Sequence, residues 1–142
     1  MIKQNIVFVE NKAGSLKRVT GLLANNNINI YGFACFDAPE FAIFRMICDD
    51  PDKAEIILNQ SGYMNRITQA IVVDMKDQVG GLDELLKIMA DSNVILDYIY
   101  TSFHRKDLRP VVILHSEDIT VTESVLKNNG FKVFSAADEL EK

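Results

Sequence analysis

The sequence predicts an α+β protein built from two copies of one β-α-β-β-α-β unit. Residues 11–16 (NKAGSL) and residues 77–82 (DQVGGL) each follow an apolar strand and begin a helical pattern. Asn27 and Asn93 each end that helix just before a new strand. Equivalent residues of the two copies lie 66 positions apart throughout this region. A constant separation across strand, loop and helix signals indicates a duplication.

The separation becomes 68 later in the unit, where Leu58 matches Leu126 and Gly62 matches Gly130. Two residues were therefore added to the second copy. The hairpin between its middle strands is the place where an insertion is best tolerated. We predict two domains, residues 1–68 and residues 69–142, with almost no linker between them.

The elements of the first copy follow from its periodicity and its capping residues. After a short buried strand, apolar residues recur at helical spacing from Leu16 to Leu23. Asp50 and Pro51 have the properties of a cap and a first helical residue. The predicted elements are a strand at 6–9, a helix from 16, strands at 28–36 and 41–48, a helix from 50 to 62, and a strand at 63–67.

The second copy repeats this order. Ser116 is the candidate cap of its second helix, in which β-branched residues at 119–122 lower the helix propensity. The acidic residues at 138, 139 and 141 are expected to form a frayed tail. The predicted elements are strands at 69–75, 94–103, 110–115 and 131–134, and helices at 82–91 and 117–129.

This order of elements is that of the ferredoxin-like fold, in which right-handed crossovers place both helices on one face of an antiparallel sheet. That face should bury Ala42, Phe44 and Met46. The opposite face should carry Phe41, Ile43, Ile47, Tyr31 and Phe33. A wet face would alternate with polar residues. The opposite face is therefore covered by the other copy or by a second copy of the chain, and we favour self-association.

Composition excludes several classes of function. The net charge of −5 and the pI near 5.0 disfavour nucleic-acid binding. No apolar run is long enough to cross a membrane, and no secretory pattern opens the chain, so we expect a cytoplasmic protein. The basic residues at 105–109 fit a solvated hairpin tip. A turn near Pro39 places Cys35 opposite about residue 42, so that Cys35 and Cys48 are both packing residues rather than a disulfide.

The repeated loop has a chemistry of its own. In each copy a carboxamide or carboxylate, Asn11 or Asp77, lies three residues before a glycine. Glycine lets a ligand approach the main chain. The unpaired N–H groups of the next helix favour a carboxylate, while the side chain of Asn11 or Asp77 accepts hydrogen bonds from an ammonium. The loop therefore matches both ends of a free amino acid. The alternative is a turn-and-cap device without a ligand.

This motif, followed by NINI at residues 27–30 on such a frame, resembles the ACT domain, a small regulatory module that binds amino acids. The whole chain resembles free-standing proteins made of two ACT domains. The resemblance implies that two units pair side by side into one continuous sheet. It also implies that the ligand lies at their junction, between the first loop of one unit and the second strand of the other.

Carried onto this sequence, the resemblance pairs residues 11–16 with the strand start at 94–97, and residues 77–82 with that at 28–31. The implied ligand-binding residues are Asn11, Ala13, Gly14, Ser15, Leu16, Ile28, Asn29, Ile30, Asp77, Val79, Gly80, Gly81, Leu82, Ile95, Leu96 and Asp97. Asn29 matches a polar position of the family that Ile95 does not. An aliphatic or aromatic amino acid is favoured, since the pocket would be lined by Val79, Ile95, Leu96 and Tyr98.

We therefore expect a non-catalytic amino-acid sensor that forms a homodimer and acts on a partner enzyme. The alternative is a regulatory subunit of an amino-acid biosynthetic enzyme, similar to the small subunits of acetolactate synthase, with little ligand binding of its own. An enzyme is disfavoured because no nucleophile–base pair is evident. His104 and His115 lack neighbouring metal ligands, and no metal or cofactor, nucleic acid or membrane is expected.

Overall fold

A computed structural model describes all 142 residues of the chain. It contains six strands and four α-helices, with antiparallel pairing in the predicted order, so the α+β class is confirmed. No helix combines the length and the apolar composition needed to cross a bilayer. The elements are β1 (Ile2–Glu10), α1 (Ser15–Asn25), β2 (Ile30–Asp37), β3 (Phe41–Cys48), α2 (Pro51–Gln60), β4 (Asn65–Asp74), α3 (Gly81–Asp91), β5 (Leu96–Phe103), β6 (Pro110–Ser116) and α4 (Ile119–Asn128).

The chain divides into two compact units. The first unit is Lys3–Thr68, and the second unit is Gln69–Lys142 together with Met1–Ile2. Neighbouring strands follow the order β2-β3-β1-β4 in the first unit and β4-β6-β5 in the second. β4 runs through the boundary as one strand. The two strands predicted at 63–67 and 69–75 are therefore the two halves of a single element.

The first unit buries the helix-facing side of its sheet. Pairing of Val7 with Phe44 and of Val9 with Ala42 places these side chains on one face, as predicted. Fully burying a side chain such as Phe44 or Leu58 stabilises the fold by about 1.5–3 kcal/mol. The core consists of Val7, Val9, Val19, Leu23, Ile28, Phe44, Met46, Cys48, Ala54 and Leu58.

The second unit repeats this core at the sequence offsets that defined the duplication. Val73, Leu85 and Met89 lie 66 residues after Val7, Val19 and Leu23. Beyond the insertion the offset is 68. The core residues of the second unit are Ile71, Val73, Leu85, Met89, Val112, Leu114 and Leu126. The repeat in the sequence therefore reflects side chains that occupy equivalent core positions in the two units.

The prediction for Phe33 was wrong. A register shift between Ile30 and Gly32 pairs Phe33 with Met46, so its ring lies on the helix side, 6.0 Å from that of Phe44. On the opposite face, Tyr31 and Ile47 are already buried within a single chain, while Phe41 is exposed. Covering Tyr31 and Ile47 requires no second copy of the chain. Self-association stays a prediction.

The two cysteines have different environments. Cys35 pairs with Phe44 rather than residue 42, because the hairpin is centred between residues 39 and 40, with Asp37 paired to Ala42. It is exposed, so its prediction as a packing residue was wrong. Cys48 is buried, and burial raises the pKa of its thiol to about 12. No disulfide joins them, as predicted.

Three predictions in the C-terminal region are corrected. β6 continues through Ser116, so α4 begins later and its cap is Asp118, whose carboxylate accepts from Val121 N at 3.1 Å. The strand predicted at 131–134 is reduced to one bridge between Val73 and Val133. The acidic tail is not frayed, since Ala137–Glu141 form a 3-10 helix in which Leu140 is fully buried.

Candidate functional site

The two glycine loops have the same backbone conformation. Gly14 has φ 82° and Gly80 has φ 85°, in the left-handed region that favours glycine. Ser15 N donates to Lys12 O at 3.1 Å in the first loop, and Gly81 N donates to Gln78 O at 3.0 Å in the second. The repeated motif therefore builds one loop shape twice.

One position distinguishes the loops, namely Ser15 in the first and Gly81 in the second. A Cβ on Gly81 would lie 2.0 Å from the carbonyl oxygen of Lys76, so no other residue fits there. Ser15 is buried, and its hydroxyl accepts from the Arg18 guanidinium at 3.1 Å. In the second loop the main chain at residue 81 therefore lies so close to the Lys76 carbonyl that only glycine fits there.

Asn11 and Asp77, the polar residues expected to bind an ammonium, are both exposed but differ in their contacts. Asn11 Nδ2 donates to Ala38 O at 3.3 Å, which connects the first loop to the β2–β3 hairpin. The carboxylate of Asp77 makes no hydrogen bond or ion pair with the chain. Asn11 Oδ1 and the Asp77 carboxylate are therefore both free to accept from a ligand, but only Asp77 carries a negative charge.

The predicted strand-start residues lie far from the loop of their own unit. Residues 11–16 lead into the first turn of α1 and residues 28–30 follow its end, and an 11-residue helix is about 16 Å long. The same holds for residues 77–82 and 95–97 on either side of α3. Val79 and Ile95 are exposed at opposite ends of α3. Neither unit brings its own loop and its own strand start together.

Asp97 already has a partner. Its Oδ2 lies 2.7 Å from His115 Nδ1, and the His115 ring stacks on Tyr98 with centroids 5.5 Å apart. Sequence reasoning missed this pair, which joins neighbouring strands across 18 positions. A ligand would have to compete with His115 for this carboxylate.

A cavity adjoins each loop. The first, about 240 Å³, lies between the end of β1, the start of α1 and residues 62–64. The second, about 480 Å³, lies between the end of β4, the second loop and residues 129–132. Arg109, at the end of the longer β5–β6 hairpin, contributes to the second cavity alone.

The second cavity is lined by charged side chains of both signs. Lys76 Nζ lies 3.0 Å from Glu84 Oε1 on one side. On the other side Arg109 lies 3.4 Å from Asp74 Oδ2, and its Nε donates to Asp107 at 2.6 Å. The Arg109 guanidinium lowers the pKa of Asp107, and Asp107 in turn raises that of Arg109. The terminal nitrogens of Arg109 remain able to bind a carboxylate bidentately.

Behind Asp74 lies a histidine that sequence reasoning did not select. His104 is 3% exposed, and its Nε2 donates to Asp74 Oδ1 at 2.7 Å. The basic residues 105–109 are largely solvated, as predicted, but the hairpin is held by this buried histidine. The sequence signal that could have revealed this pair is Asp74, a charged residue that directly follows the apolar residues 70–73.

Comparison with known proteins is consistent with this architecture. A family profile described as an ACT domain pair matches residues 1–141. The crystal structure of protein BT0572 from Bacteroides thetaiotaomicron is 28% identical with a TM-score of 0.89, covering 99% of this chain and 96% of that chain. No curated protein matches the chain.

Two further solved structures share the fold at lower identity. The ligand-free regulatory subunit of aspartate kinase from Thermus thermophilus is 14% identical with a TM-score of 0.63, covering 90% of this chain and 91% of that chain. The corresponding subunit from Thermus flavus is 15% identical with a TM-score of 0.60, covering 88% of each chain. At such identity the likeness concerns the fold alone.

Proposed function

We propose, from the premise that the chain belongs to the ACT domain pair family, that it is a non-catalytic regulatory protein that binds a free amino acid at its glycine loops. The family supplies the regulatory role, and the loops supply the chemistry. One observation carries the proposal. Both copies have kept the same left-handed glycine turn, and in the second an unpaired carboxylate, that of Asp77, lies beside it.

The loop offers complementary groups to a zwitterion. The Asp77 carboxylate can accept hydrogen bonds from an ammonium, and the unpaired N–H groups at the start of α3 favour a carboxylate. Asp83 and Glu84 lie in the first turn of α3, whereas α1 has no acidic residue there. We therefore expect the two loops to bind ligands unequally.

We propose further that a second ACT unit completes each site. In this arrangement residues 28–31 of one unit face loop 77–82, and residues 94–97 face loop 11–16. Support comes from the distance between loop and strand start, which no single unit closes. Asp97 is a weaker candidate than Asp77 for the ammonium because His115 already occupies it.

Regulation requires the ligand to prefer one of two states of the protein. We propose that binding biases the arrangement of ACT units in a cytoplasmic homodimer and that a partner enzyme responds to it. No reaction is assigned to the chain itself.

A second candidate is an interaction subunit of a biosynthetic enzyme with little ligand binding. The edge strand β2 favours it, because Phe33 is 61% exposed and Phe36 is 51% exposed. An apolar groove of about 370 Å³ adjoins Phe33 and includes Leu16 and Ile30. Exposed aromatic side chains on an edge strand are suited to contact with another protein.

Thermal unfolding in the presence of each of the twenty L-amino acids, with the D-enantiomers as controls, tests the proposal. A ligand at 100 times its dissociation constant should stabilise the chain by about 2.7 kcal/mol. Asp77→Ala should abolish the shift if the second loop binds, and Asn11→Ala if the first does. Asp91→Ala, which changes an exposed acidic residue at the opposite end of the same helix, is the matched control. A flat response from folded protein would favour the interaction subunit instead.

A further inference from the structure

The two cavities beside the loops are the same cavity built twice. All residues that line the first, except Ser15, recur in the second at the offsets of the duplication. Thus Glu10 and Arg18 correspond to Lys76 and Glu84, 66 residues later, and Tyr63 corresponds to Phe131, 68 residues later. The signs of the two charged positions are reversed between the copies. The two cavities therefore cannot prefer the same ligand pose.

Their sizes also differ, and one pair of neighbouring positions differs in chemistry between the copies. In the first unit Phe8 and Phe41 pack edge to face, with ring centroids 5.4 Å apart. The equivalent residues of the second unit are Asp74 and Arg109. At about 480 Å³ the second cavity falls within the roughly 300–1,000 Å³ range of small-molecule sites, whereas the first, at about 240 Å³, falls below it.

The second cavity presents groups of both signs to a ligand. The Asp77 carboxylate is unpaired, and the outer nitrogens of Arg109 make only the 3.4 Å contact to Asp74. Asp74 is itself held in place by buried His104 at 2.7 Å. Apolar surface comes from Met75 and Phe131. These groups match the carboxylate, the ammonium and the carbon stem of one amino acid.

We propose that the regulatory amino acid binds at the second loop and not at the first, in this cavity, with Arg109 contacting its carboxylate and Asp77 its ammonium. This inference rests on the proposed function and goes beyond it by assigning one loop, one cavity and one residue, Arg109, that the loop motif does not contain. Because six of the ten lining residues carry a charge, we expect a ligand with a polar side chain rather than the aliphatic or aromatic one favoured by the sequence.

Two-dimensional ¹H–¹⁵N NMR on the intact 16.0 kDa chain provides the test. Each of the twenty L-amino acids is titrated as the probe. A binding amino acid should shift the amide signals of residues 75–84, 104–110 and 129–132. The amide signals of the equivalent residues 9–18 and 61–64 should stay unchanged, and calorimetry should give one ligand per chain.

Variants on one hairpin sharpen the test. Arg109→Gln should weaken binding at least tenfold, and Arg109→Lys should recover part of the loss. Arg105→Gln is the matched control, since the Arg105 guanidinium lies over the Phe103 ring, 4.4 Å from its centroid, and outside the cavity. Its affinity should equal that of the unchanged chain.

The outcomes separate the two proposals. Binding that shifts the first loop equally, or that Arg109→Gln leaves intact, overturns the assignment to the second cavity while amino-acid binding stands. No binding by any L-amino acid overturns both. The map on the unchanged chain is decisive even if Arg109→Gln does not fold.

Discussion

His104 and Asp74 form a 2.7 Å hydrogen bond that is largely shielded from solvent, since these side chains are 3% and 22% exposed. His115 and Asp97 form a bond of the same length, but these side chains are 29% and 43% exposed. The chain therefore contains the same pair of chemical groups at the same distance in two environments. Water should weaken the exposed pair far more than the buried one.

We predict that double-mutant cycles will separate these pairs. His104→Ala combined with Asp74→Ala should give a coupling energy of about 1–3 kcal/mol, because either single change leaves a polar group without its partner. The corresponding cycle for His115 and Asp97 should give at most about 1 kcal/mol. Urea unfolding at pH 7 supplies the four free energies of each cycle. Equal couplings would contradict the assigned role of burial.

We predict that adjacent glycines will respond very differently to alanine. In Gly80→Ala the new Cβ has no atom within 4 Å. Only the left-handed backbone conformation opposes the change, at a cost of about 1–2 kcal/mol. Gly81→Ala places Cβ 2.0 Å from the Lys76 carbonyl oxygen, which is backbone and cannot move aside alone. The free energy of unfolding should fall by more than about 3 kcal/mol. Similar losses in urea melts of the two variants would count against the loop geometry.

We predict that one thiol will react in the folded chain and two in the unfolded chain. Cys35 is exposed, whereas burial raises the pKa of Cys48 to about 12 and keeps its thiol protonated. Since the thiolate is the nucleophile, Cys48 should stay unreactive at pH 8. Titration with a chromogenic disulfide, with and without guanidinium, measures both numbers. Cys35→Ser should abolish the native signal, and any rapid reaction that remains would disprove the burial of Cys48.

We predict that the C-terminal segment contributes to stability. Leu140 is fully buried, and its carbonyl accepts from Arg105 N at 2.8 Å. Leu140→Ala should therefore destabilise the chain by about 2–5 kcal/mol. Glu141→Ala changes the exposed neighbour and should stay within about 0.5 kcal/mol. Thermal or urea unfolding distinguishes this outcome from that of a frayed tail, in which both changes would be silent.

We predict a defined pH response at the β5–β6 hairpin. Arg109 holds the pKa of Asp107 below its usual value, chiefly through their hydrogen bond. The pair therefore stabilises the fold above the ordinary carboxyl pKa of the unfolded chain, and this contribution is lost as the pH falls through the lower folded value. In Arg109→Gln the pKa of Asp107 should rise toward its ordinary value. Carboxyl ¹³C NMR titration measures this pKa. An Asp107 pKa that is the same in Arg109→Gln as in the unchanged chain would show that the two side chains do not interact.

Much of the fold could be predicted because the same order of strand, loop and helix signals occurs twice in the sequence. Asn27 and Asn93, at φ 58° and 56°, end equivalent helices at the residues that first suggested the repeat. The errors arose where local signals compete. Ser116 and Asp118 are both good caps, and only the length of β6 decides between them. The position of Phe33 depends on a bulge next to Gly32, which the alternation of side chains does not reveal.

The candidate site was less predictable than the fold. The reversal from Glu10 and Arg18 to Lys76 and Glu84 is visible in an aligned repeat, but only folding makes these positions neighbours. Asp74 and His104 lie 30 residues apart, and their pairing depends on strand register. A loop motif can indicate where a ligand approaches. The groups that hold it come from distant parts of the chain.

β4 has a further consequence for how this protein can be taken apart. Residues 65–74 are one unbroken strand, and the boundary at residues 68 and 69 falls inside it. A gene truncated there would leave each product with half of a strand, and a protease would find no flexible segment to cut. The two copies of the duplication therefore share strand β4. We expect that neither copy can be obtained as an independently folded domain.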